Sequence, residues 1–167
     1  AERAVLGCML LSPREAADAA AELLRPEMFH SPAHEVIFGA ACALLAESEP
    51  LDPLTLRQRL TDLGQLDRIG GDAYLADVLA SVGTAAHIHS YAATVRTKHI
   101  LRESLWAATR IEEAVREFPD DAAPVLEEAQ SELFKLTEDA GSRETRAVQD
   151  LILPAIKYIE ERRQNKG

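Results

Sequence analysis

Aromatic residues are scarce in this chain of 167 residues: Phe, Tyr and Trp together make up 5% of it, and there is a single Trp. Cysteine is scarcer still. Cys8 and Cys42 are the two present, both inside apolar helical patterns, which argues against a disulfide-built scaffold and for free thiols in a reducing compartment. Basic charge is also short, with 18 Lys and Arg against 28 Asp and Glu and a formal net charge of -10. A surface built to bind DNA or RNA phosphate needs clustered Lys and Arg, so strong nucleic-acid binding is not expected. Long apolar runs are missing too. The opening "AERAVLGCMLLSP" is too short for a membrane span and begins with mixed charge, unlike a secretory signal. A soluble, cytoplasmic protein without a membrane partner is the expectation.

What is plentiful is Ala and Leu, in a chain that is 47% hydrophobic and 28% charged. That balance is globular and leans helical, and the length suits one domain or one domain with an appendage. Nearly every segment repeats at helical period, and none alternates convincingly with period two. Ser12-Pro13-Arg14-Glu15 reads as a capping box, with proline at the first helical position. Ser31-Pro32 and Asp52-Pro53 repeat the cap-then-proline signature before "AHEVIFGAACALLAE" and "LTLRQRLTDLG", where Gly64 ends the helix. Residues 1–86 therefore predict a compact bundle of five or so short helices.

The pattern changes at residue 87. From His87 to Phe118 there is neither Gly nor Pro, which predicts one long helix. A stripe of Leu101, Leu105, Ala108, Ile111, Val115 and Phe118 runs along it, stepping by four and three. After "PDDAAP" a second helix carries Ala122, Leu126, Ala129, Leu133 and Leu136 at the same spacing. The expectation is an antiparallel hairpin over 87–140 with a coiled-coil-like seam, Leu126 and Leu133 facing the first stripe. Ile100, Trp106 and Phe134 fall off these stripes, leaving apolar surface for the first bundle or for a second subunit to cover. Between Glu112 and Asp139 ten acidic residues stand against two basic ones, so the tip is an acidic surface, read as a solvated face with an interaction patch as the alternative. Residues 141–167 read as a polar linker, "GSRETRA", followed by an amphipathic helix with Val148, Ile152, Ala155 and Ile159 on one face. Pro154 sets where its regular part begins, and a helix this short must dock to be stable. The fold class expected is all-α.

Chemistry is hard to find. "GQLDRIGGDAYLADV", residues 64–78, resembles a phosphate loop, but Gly64 and Gly70 stand one residue too far apart for a P-loop. Asp72 sits near the place of the required lysine, and no strand precedes. A turn at Gly70-Gly71, with Asp72 capping the next helix, is the better reading. His30 and His34 have the spacing of half a zinc site, and His87 and His89 form another pair, yet no Cys pair completes either. No nucleophile elbow is present, and the carboxylates fall on polar helix faces. Catalytic, metal and cofactor residues are therefore not expected.

Several blocks together carry a resemblance: "AERAVLGCMLL", "LRPEMFHSPAHEVIFGA", "LDPLTLRQRLTDLGQLDRIGG-DAYLADV" and "AAHIHSYAATVRTKHILRE". In order and spacing these resemble the N-terminal domain of DnaB-type bacterial replicative helicases over about residues 1–140, with 143–167 resembling the linker to the motor. The resemblance implies an all-helical globular subdomain and hairpin, with hairpins pairing between subunits in a trimer-of-dimers collar at the replication fork. It implies recruitment of the C-terminal domain of a DnaG-type primase. The interface residues it points to are Leu101, Leu105, Trp106, Ile111, Val115, Leu126 and Leu133. Leu151, Ile152, Ile156 and Ile159 of the linker helix would dock on the adjacent subunit's ATPase domain. ATP and magnesium would serve a RecA-like domain that does not appear in these residues, so this chain itself is expected neither to hydrolyse ATP nor to unwind DNA. A free-standing helicase or primase adaptor with the same fold is the alternative.

Overall fold

The computed structural model describes residues 1–138, and its regular elements there are all helical. Seven α-helices run in order: α1 Glu2–Leu11, α2 Glu15–Leu23, α3 Pro32–Ala46, α4 Pro53–Asp62, α5 Gly71–Ala80, α6 Ile88–Glu117 and α7 over 122–138. Single 3-10 turns at Pro26–Met28 and Asp67–Ile69 join α2 to α3 and α4 to α5. The chain forms two compact units that divide between His99 and Ile100, inside α6. The linker helix expected beyond residue 140 lies outside the described residues.

Local chemistry explains some helix ends as expected and corrects others. The Asp52 carboxylate accepts the N–H groups of Leu54 (2.8 Å) and Thr55 (2.9 Å), with Pro53 opening the helix, so α4 starts as read. It ends in a Schellman motif: Gln65 N–H donates to Leu60 O (2.8 Å) and Gly64 N–H to Thr61 O (2.9 Å). The box at Ser12 does not form. Ser12 is the C-cap of α1 and α2 begins without a side-chain cap, because Ser12 follows α1 too closely to open a second helix. Ser31 occupies the N-cap of α3, but its side chain caps nothing; Glu2 of α1 instead accepts the His30 and Ser31 N–H groups just before the helix. Gly70 and Gly71 have φ of 105° and 70°, the left-handed turn that glycine permits. Asp72 is not the cap of α5. Its carboxylate takes Nε (2.6 Å) and Nη2 (3.3 Å) of Arg57, tying α5 to α4.

The first unit builds one core from Val5, Leu6 and Met9 of α1, Ile37, Phe38 and Leu44 of α3, Leu56 and Leu60 of α4 and Val78 of α5. Ile88, Ala92 and Val95, stepping by four and three, bring the start of α6 into it. Gly7 decides how α1 meets α5, since a Cβ there would lie 2.7 Å from Val82 Cγ2 and 2.9 Å from the Val78 carbonyl oxygen. Cys8 is buried and Cys42 half-buried, both free, and burial raises both thiols above their ordinary value. The second unit holds the rest of α6 and α7, joined across residues 118–121, where the Asp121 carboxylate accepts the Ala123 N–H (3.0 Å) and opens α7.

Candidate partner interface

The seam of the hairpin is not the leucine stripe. Ala107 and Ala114 are the buried apolar residues of α6 beyond His99, and Glu132 is the buried residue of α7, only 1% exposed. Arg110, Ile111, Val125, Ala129 and Leu136 flank them half-buried. The large residues expected in the seam face outward: Leu105 is 70% exposed, Leu126 62% and Leu133 59%, with Leu101, Val115 and Phe118 exposed as well. The physical reason lies in the spacing. Ala107 and Ala114 keep the same three-four period as the stripe, one helical flank away, and small residues let two helix axes approach more closely than leucines do. A four-three count cannot tell two such frames apart on a helix that is apolar over more than one face.

The exposed residues nonetheless form a surface. On α6 the positions Leu101, Leu105, Ala108 and Val115 share one flank of the seam, and on α7 Leu126 and Leu133 share the corresponding flank. In an antiparallel pair corresponding flanks lie on the same side, so both rows belong to one apolar face of the hairpin. Ile111 sits at its inner edge, half-buried. Trp106, 60% exposed, stands on the other flank of α6, away from the leucines it was grouped with. Leu151, Ile152, Ile156 and Ile159 lie outside the described residues.

The opposite flank carries Trp106 together with many charged side chains. A groove of about 540 Å³ between the helices is lined by Arg110, Glu113, Glu117, Glu127, Glu128 and Ser131 among others. Arg110, which lines it, donates from Nη2 to Glu132 Oε2, and Lys135 Nζ donates to Glu132 Oε1 (2.6 Å). The Arg110 and Lys135 bonds hold the Glu132 carboxyl below its ordinary value. Sequence patterning missed this pair because an acidic residue at a seam position reads as surface until its partner, 22 residues away, is known.

His34 has structural work. His34 Nδ1 lies 2.6 Å from Glu2 Oε2 and its Nε2 lies 2.8 Å from the Tyr74 hydroxyl. A carboxylate only accepts, so Nδ1 carries the hydrogen, and in the neutral ring Nε2 accepts from Tyr74. The same carboxylate accepts the His30 N–H (2.7 Å) and the Ser31 N–H (3.3 Å) at the start of α3. Burial pushes the Glu2 carboxyl up, and the bonds from His34, His30 and Ser31 more than reverse it, leaving it below its ordinary value. Among the described residues no three His, Cys, Asp or Glu side chains gather as a metal site, and no helix is long and apolar enough to cross a membrane.

Comparison with known proteins places this architecture. Residues 1–97 match the family described as the DnaB-like helicase N terminal domain. The replicative DNA helicase DnaC of Bacillus subtilis (strain 168) is 32% identical over 167 residues, covering 100% of this chain and 37% of the relative. The replicative DNA helicase DnaB of Mycobacterium leprae (strain TN) is 35% identical over 169 residues, covering 100% of this chain and 28% of its own length. The chain thus spans well under half of these relatives. The crystal structure of the N-terminal domain of DnaB helicase from Mycobacterium tuberculosis superposes with a TM-score of 0.76 at 38% identity, over 80% of this chain and 94% of that one. A DnaB-like replicative helicase, described together with its interactions with primase, gives a TM-score of 0.67 at 28% identity over 83% of this chain and 30% of that one. With the family matched over more than half its length and the helical architecture shared, the chain belongs to the DnaB-like helicase N-terminal domain family.

Proposed function

We propose that this domain is the self-associating collar of a cytoplasmic bacterial replicative helicase and the surface that recruits its primase. The observation that carries the first half is the outward apolar face of Leu101, Leu105, Val115, Leu126 and Leu133. Burying one Leu or Val side chain contributes about 1.5–3 kcal/mol, so a row of five is a strong incentive to pair hairpin against hairpin. Support for the second half comes from family membership and from the relative described with primase. In this reading the partner is the C-terminal domain of a DnaG-type primase, and Ile111, at the inner edge of the face, couples hairpin packing to it. The linker residues Leu151, Ile152, Ile156 and Ile159 dock on the adjacent subunit's ATPase domain. ATP and magnesium belong to that motor, and this domain needs neither; nor does it bind nucleic acid strongly, given its net charge of -10. A free-standing adaptor is the weaker reading, since the relatives named above are replicative helicases.

Light scattering on a sizing column, over a hundredfold concentration range, tests self-association. The wild type is expected as a dimer or larger, and Leu105→Asp or Leu133→Asp as a folded monomer, because each sets a charge on the apolar face. A wild type monomeric throughout, or variants with unchanged mass, would remove the collar reading. Calorimetric titration with a purified primase C-terminal domain tests recruitment, and no heat at micromolar concentrations counts against it.

A further inference from the structure

The seam that holds α7 is thin. Among the described residues of α7 only Glu132 is fully buried, while Val125, Ala129 and Leu136 are half-buried. On the α6 side the seam offers Ala107 and Ala114, buried, and Ile111, half-buried. Apolar stabilisation scales with the area removed from water, and an alanine removes a single methyl group. The large apolar side chains of α7, Leu126, Leu133 and Phe134, stay exposed. In the first unit, by contrast, α1 buries Val5, Leu6 and Met9, α3 buries Ile37, Phe38 and Leu44, and α4 buries Leu56 and Leu60.

The polar part of the seam does not make up the deficit. A buried ion pair seldom adds net stability over well-packed apolar residues. The Arg110–Glu132 pair also leaves Arg110 Nε buried without a hydrogen-bond partner among the described residues, which is itself a cost. Glu113 and Glu117 of α6 line one groove with Glu127 and Glu128 of α7, so closing the hairpin gathers carboxylates that repel one another. Helix α6 extends from a start already packed in the first unit through Ile88, Ala92 and Val95, and a helix grows readily from an anchored turn. Helix α7 has the Asp121 cap at its start and the thin seam along its described length.

We infer that α7 is the conditionally ordered helix of the domain: while the leucine face is uncovered it opens from α6 far more often than the first unit opens, and pairing with a second copy holds it closed. That face is built from both helices, Leu101 and Leu105 on α6 and Leu126 and Leu133 on α7, so it exists only while α7 is docked. A partner that binds the closed hairpin and not the open one stabilises the closed form by mass action. Ordering α7 is then part of the association step, which makes pairing weaker than the exposed leucines alone imply. The part played by the second copy rests on the collar reading; the lability of α7 rests on the seam alone.

Hydrogen exchange read by mass spectrometry on the full chain is the test. An open state held by about one molecule in a hundred sets the exchange of the amides it exposes, yet leaves circular dichroism unmoved. The samples are the associated wild type, the wild type diluted below its self-association, and L105D, whose substitution sits on α6 on the exposed face. Peptides within 125–136 are expected to exchange about tenfold faster in L105D and in the diluted wild type than in the associated protein. Peptides of α1, α3 and α4 are expected to keep their rates. Adding E127Q/E128Q to L105D is expected to recover part of the protection, by removing repulsion across the groove. Peptides within 125–136 as protected in monomeric L105D as in the associated wild type overturn the inference. If L105D does not fold or stays associated, the diluted wild type decides by the same criterion. Solution mass is read on the same samples. A wild type monomeric at every concentration, with α7 exchanging faster than α1, α3 and α4, sinks the collar reading and upholds the lability of α7. A self-associating wild type whose α7 keeps its protection in monomeric L105D does the reverse.

Discussion

Asp52 and Asp72 both stand before an apolar helical run, yet only Asp52 has its backbone in the extended conformation that points a carboxylate back at two N–H groups. At Asp72 the N-cap position belongs to Gly70, and the carboxylate is left for Arg57 instead. Asp52→Ala should therefore lower stability by about 1 kcal/mol in urea unfolding, as loss of a cap does. Asp72→Ala should cost clearly less, because its pair with Arg57 is exposed. An Asp72 loss equal to that of Asp52 would mean a capping role after all. Gly7→Ala sets two effects against each other: Ala gains about 1 kcal/mol of helix propensity, but its Cβ meets the Val78 carbonyl at 2.9 Å, and backbone cannot swing aside. The clash should win, with a net loss of about 1–2 kcal/mol. A stabilised Gly7→Ala would show that α1 and α5 separate freely.

For the helices, what was legible followed from period and punctuation. The absence of Gly and Pro after His87 marks a long helix, found over Ile88–Glu117, and Asp52-Pro53 and Gly64 bound α4 without tertiary help. The hairpin itself was legible, but its inward side was not. Three-four spacing is satisfied by the alanine frame and by the leucine frame alike, and the choice depends on how closely two axes approach. That Leu105→Asp and Leu133→Asp should stay folded follows from this correction: as seam residues they would collapse the hairpin, whereas at 70% and 59% exposure they should leave the circular dichroism spectrum unchanged. Loss of helicity in either variant would return the leucines to the seam.

Across the whole molecule the carboxyls of Glu2, Glu47, Asp52 and Glu132 are all held below their ordinary values by hydrogen bonds and cations. A group whose folded value is depressed contributes stability that is fully present above its unfolded value, 4.5 for Glu and 3.8 for Asp, and loses it as pH falls through the folded one. The urea midpoint should accordingly hold near neutrality and drop below about pH 4.5. Glu2→Gln should start lower and fall less steeply. A Glu2→Gln curve parallel to the wild type would show that the ties to His34, His30 and Ser31 carry no linkage. By itself the sequence determined the helical class, the long helix and the scarcity of basic charge, because these depend on composition and on neighbours within a few residues. Only the tertiary structure decided that Glu2 ties down the chain entering α3, that Glu132 is buried against Arg110, and that the leucines look outward. Each of those rests on which surfaces meet, and a one-dimensional pattern holds the spacing of side chains along an axis but not the distance between two axes.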